Sequence, residues 1–246
     1  MRTNYKIIVH YDGTNYKGWQ QQGQGLKTIQ GELVRVLKVI AKKKVLVTGS
    51  SRTDAGVHST GLTANFFLKI NIEADSLRRA FNSLLPDDIR IAECEKADPS
   101  FNARFGAKEK TYTYRIFYGS ILSPFKYRYY THIPYPLNIN LMRRSVKFFI
   151  GEMNFSSFTS DEPQKNRIRT INGFTMKKKG EELIFEIKGK SFLRYMVRNM
   201  VGTIIDVGRG KIDISQIPEI FEAKDRRTAG RTAPARGLTL TRVDYE

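Results

Sequence analysis

Cysteine is nearly absent from this chain. Cys94 is the one cysteine in 246 residues, so an internal disulfide framework and a multi-cysteine zinc site are both excluded. The three histidines, His10, His58 and His132, lie far apart and no two have ligand spacing, which argues against a metal site. Long apolar runs are missing as well, and no stretch reads as a secretory leader or a basic amphipathic tail. A membrane partner is therefore not expected, and the cytosol is the expected compartment. Acidic residues are scarce: 24 Asp and Glu face 42 Lys and Arg, for a formal charge of +18.

What is present points to a polyanion. The isoelectric point is near 10.0, the basic residues run through the whole chain, and aromatic residues make up 11% of it. Cations attract a phosphate backbone, and aromatic faces take unstacked bases. Lys42-Lys43-Lys44, Lys177-Lys178-Lys179 and Arg226-Arg227 are short clusters of the kind that usually stay solvated. Some of them are candidates for phosphate contact. A length of 246 residues suits one to two domains of about 150 residues each.

The hydrophobic pattern divides the chain into two halves with the same element order. Asn4 to Tyr11 alternates as a strand. Thr28 to Lys43 carries Ile29, Leu33, Val36, Leu37 and Ile40 at helical spacing, with Thr28 as cap. Val45 to Thr48 and Leu62 to Ile70 read as strands. A second helix capped by Asp75 and stopped by Pro86 follows, and Asp88 to Cys94 is a strand. In the second half, Lys110 to Tyr118 is a strand and Asn138 to Ile150 a helix. Ile168 to Lys178 and Glu182 to Lys188 form a hairpin, and Phe192 to Val207 is a long helix. A short helix at Ser215 to Glu222 and a strand at Gly237 to Asp244 close the chain. Strand, helix, strand, strand, helix, strand is the split βαβ, ferredoxin-like order. The expected class is α+β, with residues 1–105 and 106–246 as the two halves and the boundary near Phe101 to Lys108. Gly119 to Pro136, with three prolines and many tyrosines, is long for a loop without structure of its own, so it is functional or covers a sheet.

Ser51-Arg52-Thr53-Asp54-Ala55-Gly56-Val57-His58 is the segment richest in chemistry. It lies between two apolar runs and reads as a loop held by strands, where functional groups concentrate. A carboxylate beside a guanidinium stays ionised, so Asp54 is a nucleophile or base that works without a metal. The same residues also suit a solvated turn with an incidental ion pair.

Five stretches in fixed order decide between these readings. Arg52 to His58 resembles the active-site loop of the TruA-type tRNA pseudouridine synthases. Tyr11-Asp12-Gly13 with Gly18-Trp19-Gln20, Lys110-Thr111-Tyr112-Thr113-Tyr114, Phe192 to Gly202, and Ala233-Pro234-Ala235-Arg236-Gly237-Leu238 agree with the same family. Ser51, Ser59 and Leu62 depart from it, where Gly, Ala and Gln are usual. The resemblance implies that the antiparallel sheets of the two halves join into one extended sheet with helices on one face. It also implies a cleft between the halves and a homodimer. The reaction would be the isomerisation of uridine to pseudouridine at positions 38 to 40 of the tRNA anticodon arm, with no cofactor and no metal.

The resemblance assigns Asp54 as the reacting carboxylate, Arg198 as its salt-bridge partner, Tyr112 as the ring that stacks on the target base, and Leu238 as an apolar lining residue. Arg52 is the local candidate for keeping Asp54 ionised or for gripping a phosphate with its planar fork. On spacing alone, Arg198 suits a snorkelling side chain, Tyr112 and Tyr114 suit ordinary strand aromatics with one of the two lost to packing, and Leu238 suits a core strand. Tyr11-Asp12-Gly13 with Trp19 fits either a turn beside a buried Trp or an RNA contact. A relative acting on another RNA, such as ribosomal RNA, shares the chemistry. A non-catalytic RNA-binding protein would need no Arg-Thr-Asp loop.

Overall fold

A computed structural model describes residues 2–23, 25–160 and 166–245. Contacts divide the chain into two compact units, one running to Lys108 and resumed from Thr239, the other spanning Glu109–Leu238.

The first unit opens on β1 (Thr3–Tyr11), whose Tyr5, Ile7, Val9 and Tyr11 alternate inward, as a half-buried strand requires. Helix α1 (Ile29–Ala41) buries Ile29, Leu33, Val36 and Leu37. Thr28 caps it, its hydroxyl accepting from Gly31 N, and Lys42 ends it in the left-handed region at φ 56°. Then come β2 (Thr48–Gly49), β3 (His58–Leu68), α2 (Ala74–Leu84) and β4 (Ile89–Ala97). The sheet runs β4-β1-β3 with β2 on β3, all antiparallel. Interleaving two βαβ crossovers in this way gives the ferredoxin-like order 4-1-3-2. Helices α1 and α2 touch each other and so share one face. Tyr5, Phe66 and Phe81 form an aromatic run in the core, with ring centroids 5.8 Å apart at each step.

The second unit begins with β5 (Glu109–Phe117), followed by β6 (Thr131–His132), α3 (Ile139–Ser145), β7 (Gly151–Asn154), β8 (Ile168–Lys179), β9 (Glu182–Gly189), α4 (Met196–Gly208) and α5 (Gln216–Ala223). Its sheet runs β5-β9-β8-β7, with β6 on β5. The β8–β9 hairpin turns on Gly180 at φ 57°, with Lys179 opposite Glu182, a two-residue loop of the kind that needs a glycine. Phe149, Phe155, Phe158 and Phe221 pack ring against ring beneath this sheet. Strand β10 (Leu238–Asp244) leaves the second unit at Leu238 and pairs in parallel with β3. Both units are α+β. No helix among the described residues is long and apolar enough to cross a membrane.

Several elements differ from the sequence reading, and β3 starts at His58 rather than Leu62. Asp75 is not a cap: Glu73 holds that position, and Asp75 sits in the first turn of α2, ion-paired with Arg78 and Arg79. The strand expected at Val45 to Thr48 shrinks to two residues, although Val45 and Val47 are buried around an exposed Leu46, so the alternation survives without the ladder. The helix expected from Asn138 to Ile150 tightens into a 3-10 turn over Val146–Phe149. Helix α4 starts at Met196, four residues later than expected, because Tyr195 adopts φ 61°.

The cap at Thr28 offers a simple check. Thr28→Ala should cost about 1 kcal/mol and Thr28→Ser much less, read by chemical denaturation.

Candidate functional site

In the first unit the loop from Ser51 to Val57 connects β2 to β3. Its backbone is held from one side by the segment Tyr11–Trp19. Trp19 N donates to Thr53 O at 3.1 Å, and Gly56 N donates to Tyr16 O at 3.2 Å. The Tyr11 and Thr53 hydroxyls bond at 2.8 Å in a buried position. Gly13 N donates to His58 Nδ1 at 3.1 Å. Two glycines permit the approach: a Cβ on Gly13 would lie 2.0 Å from Val57 O, and one on Gly18, whose φ is 94°, would lie 2.6 Å from Thr53 O. The segment is itself anchored, since Tyr16 donates to Asp88 Oδ1 at 2.5 Å. Burial, and then the Asp88 carboxylate, push the Tyr16 phenol well above its ordinary pKa. Trp19 is buried against Gly49, where a Cβ would meet the indole at 2.4 Å.

On this loop Thr53 and Val57 are buried, Asp54 is half-buried and Arg52 is exposed; His58, the first residue of β3, is buried too. Arg52 makes no ion pair among the described residues. Of its two expected roles, the phosphate grip is the one its exposure suits.

In the second unit Tyr112 and Tyr114 lie on β5 and both are buried. Tyr114 is spent on packing. Its hydroxyl donates to Pro234 O at 2.8 Å and bonds Thr131 Oγ1 at 2.6 Å, and burial raises its pKa, so it remains a donor. Tyr112 meets Phe192 edge-on, with centroids 5.0 Å apart. Leu238 is buried and directly follows the 3-10 turn Ala235–Gly237.

Arg198 is half-buried on α4. Its Nε donates to Ala233 O at 2.8 Å, Ala233 N returns a bond to Arg198 O at 3.1 Å, and its guanidinium lies over the Tyr195 ring at 5.0 Å. Arg194 is four residues from Arg198 in sequence but does not share its helix. It precedes α4 and stacks on the same ring at 4.8 Å. The long side chain of Arg198 is therefore held by a carbonyl and a ring rather than left to snorkel. Arg226 was grouped with the solvated clusters, yet it turns inward to Ala229 O, Asn199 Oδ1 and Thr232 Oγ1. Burial lowers its pKa.

The model of one protein family, described as tRNA pseudouridine synthase, matches residues 7–106 and 146–246. The chain belongs to the tRNA pseudouridine synthase family. It is 39% identical over 253 residues to tRNA pseudouridine synthase A of Thermodesulfovibrio yellowstonii, covering 98% of this chain and 99% of that one. The enzyme of the same name from Acetivibrio thermocellus is 43% identical at 98% and 99% coverage. That of a Geobacillus species is 43% identical over the full length of both.

One departure from the family pattern has a structural account. Ser59 Oγ donates to Leu240 O at 2.9 Å on β10 and accepts from Gly61 N and Leu62 N, so its hydroxyl is consumed by backbone. Leu62 is fully buried. Sequence reasoning also missed the backbone role of Gly13 and Gly18, the left-handed Tyr195 and the inward Arg226. A glycine next to a motif signals a close approach without saying what is approached.

Gly202 on α4 sits where a Cβ would lie 1.7 Å from Arg231 O, in the segment that carries Ala233 to Arg198. Gly202→Ala should destabilise the protein by about 1–3 kcal/mol. Gly23, with nothing within 4 Å of its Cβ position, should accept alanine with almost no change in the same denaturation experiment.

Proposed function

We propose that this protein isomerises uridine to pseudouridine in the anticodon arm of tRNA, at positions 38 to 40, in the cytoplasm and as a homodimer, with Asp54 as the reacting carboxylate. The observation that carries this reading is a half-buried aspartate on a loop whose backbone is tied to the segment Tyr11–Trp19 at Thr53 and at Gly56, in a chain of the pseudouridine synthase family.

The reaction breaks the bond between C1′ and N1 and forms one between C1′ and C5. The C5 hydrogen leaves as a proton and N1 takes one up, so composition is unchanged and no oxidant or reductant is consumed. A carboxylate can attack the sugar or the base, or remove a sugar proton. Each role needs it ionised and aimed. A positive neighbour keeps a carboxylate ionised, and Arg198 is the residue assigned to that task. Its held side chain supports the assignment, because a fixed guanidinium loses little entropy when it acts. Tyr112 is assigned to stack on the everted base and Leu238 to line the apolar side. Arg52, exposed on the loop, is assigned to a backbone phosphate. The target leaves its own stack to react.

A homodimer is supported by an apolar set on the segment between β5 and α3. Ile121, Phe125, Tyr127, Tyr129 and Tyr135 are all exposed there, more than scattered surface residues require. Sedimentation equilibrium should give twice the monomer mass, and Phe125→Asp should shift it toward the monomer.

The catalytic assignment is tested by tritium release from tRNA labelled at uridine C5. Asp54→Asn should lower turnover by roughly 10⁴-fold while tRNA affinity stays within a few fold. Near-normal release would remove Asp54 from the chemistry. Filter binding of the same tRNA should weaken steeply between about 50 and 200 mM salt, since each phosphate contact releases counterions. A flat response would remove the polyanion reading.

A further inference from the structure

We infer that Tyr11 is a positioning residue for the reaction, acting through Thr53 on the backbone that presents Asp54. The inference rests on the assignment of Asp54 above.

Four observations lead to it. The ladder between β1 and β3 is regular from Thr3 to Val9 and then shifts, so that Tyr11 pairs with Ser59. A shift of this kind re-aims a side chain. Here it brings the Tyr11 hydroxyl to the Thr53 hydroxyl at 2.8 Å, with both residues buried. Thr53 is the residue before Asp54, and its own carbonyl is occupied by Trp19 N. The peptide leading into Asp54 is thus gripped at its side chain and at its oxygen, both times from the segment Tyr11–Trp19. Gly13 and Gly18 close on the loop from the same segment, at Val57 O and Thr53 O.

Each of these contacts touches backbone or a neighbouring side chain. A rigid frame around one reactive group is what keeps reacting atoms within a fraction of an ångström of the productive geometry. Misplacement by about 1 Å costs on the order of 100-fold in rate. The bond between Tyr11 and Thr53 joins two side-chain hydroxyls, and it can be removed without changing shape. The segment Tyr11-Asp12-Gly13 thereby has a place in the chemistry through the backbone it braces.

The test compares steady-state tritium release for Tyr11→Phe, Thr53→Val and Thr53→Ser with wild type, with Asp54→Asn as control. Tyr11→Phe and Thr53→Val should each lower kcat by roughly ten- to a hundredfold with KM for tRNA within twofold. Thr53→Ser, which keeps the hydroxyl, should restore most of the rate. The double variant Tyr11→Phe/Thr53→Val should be no slower than the worse single one, because both remove the same bond. Melting temperatures are measured alongside. A purely structural bond would lower them and leave kcat untouched. Wild-type kcat in both Tyr11→Phe and Thr53→Val, or a loss confined to KM, would overturn the inference while leaving Asp54 in place. If Asp54→Asn itself turns over normally, the assignment beneath the inference falls, and the inference falls with it.

Discussion

Two places where backbone meets backbone without a side chain between them hold this protein's chemistry together. Gly13 faces Val57 O and Gly18 faces Thr53 O at distances no Cβ could tolerate. Around these contacts the hydrogen bonds from Trp19 and Gly56 close, and the loop becomes an extension of the β1–β3 framework. A loop free to sample its own conformations would spread Asp54 over many positions. A loop fixed at Thr53, Gly56 and His58 leaves it few. The geometry of a functional group is here a property of glycines, which have no functional group of their own.

The same logic operates in the second unit with different parts. Arg198 is held by Ala233 O and by the Tyr195 ring. The chain bearing Ala233 is itself tied down, since Arg226 links Asn199 to Thr232 and Asp206 accepts from Arg231 N. Gly202 lets the helix backbone approach this strap, and Tyr114 fixes Pro234 beyond it. Cationic side chains are abundant in a chain of charge +18. Among them, Arg198 and Arg226 turn inward to backbone and side-chain oxygens rather than extending into solvent.

Much of this was legible in the sequence. The periodicity of Ile29, Leu33, Val36 and Leu37 and the cap at Thr28 define α1, because a helix needs only local spacing and a hydroxyl at its start. The placement of Asp54 on a loop was equally plain, since polar and glycine residues separate two apolar runs. The start of β3 at His58 was hidden by Ser59, Thr60 and Gly61, polar or small residues that do not look like strand; Ser59 and Gly61 are nonetheless buried. The start of α4 was misplaced because Leu193 keeps the apolar spacing, while the break lies in the φ of Tyr195, which a tyrosine does not advertise. Sequence proximity suggested that Arg52 would pair with Asp54, but neighbouring side chains in a turn diverge. The bond from Tyr11 to Thr53 spans 42 positions, and no local pattern encodes such a meeting.

The most direct test of a rigidly presented carboxylate keeps the charge and moves it. Asp54→Glu lengthens the side chain by one methylene group without altering its ionisation. Single-turnover rates on tRNA labelled at uridine C5 should fall by about 100-fold or more, with binding unchanged, because the frame around Thr53 and Gly56 cannot retreat to compensate. A glutamate variant that turns over close to the wild-type rate would contradict the account, since it would mean that the loop yields and that its bracing does not govern the reaction.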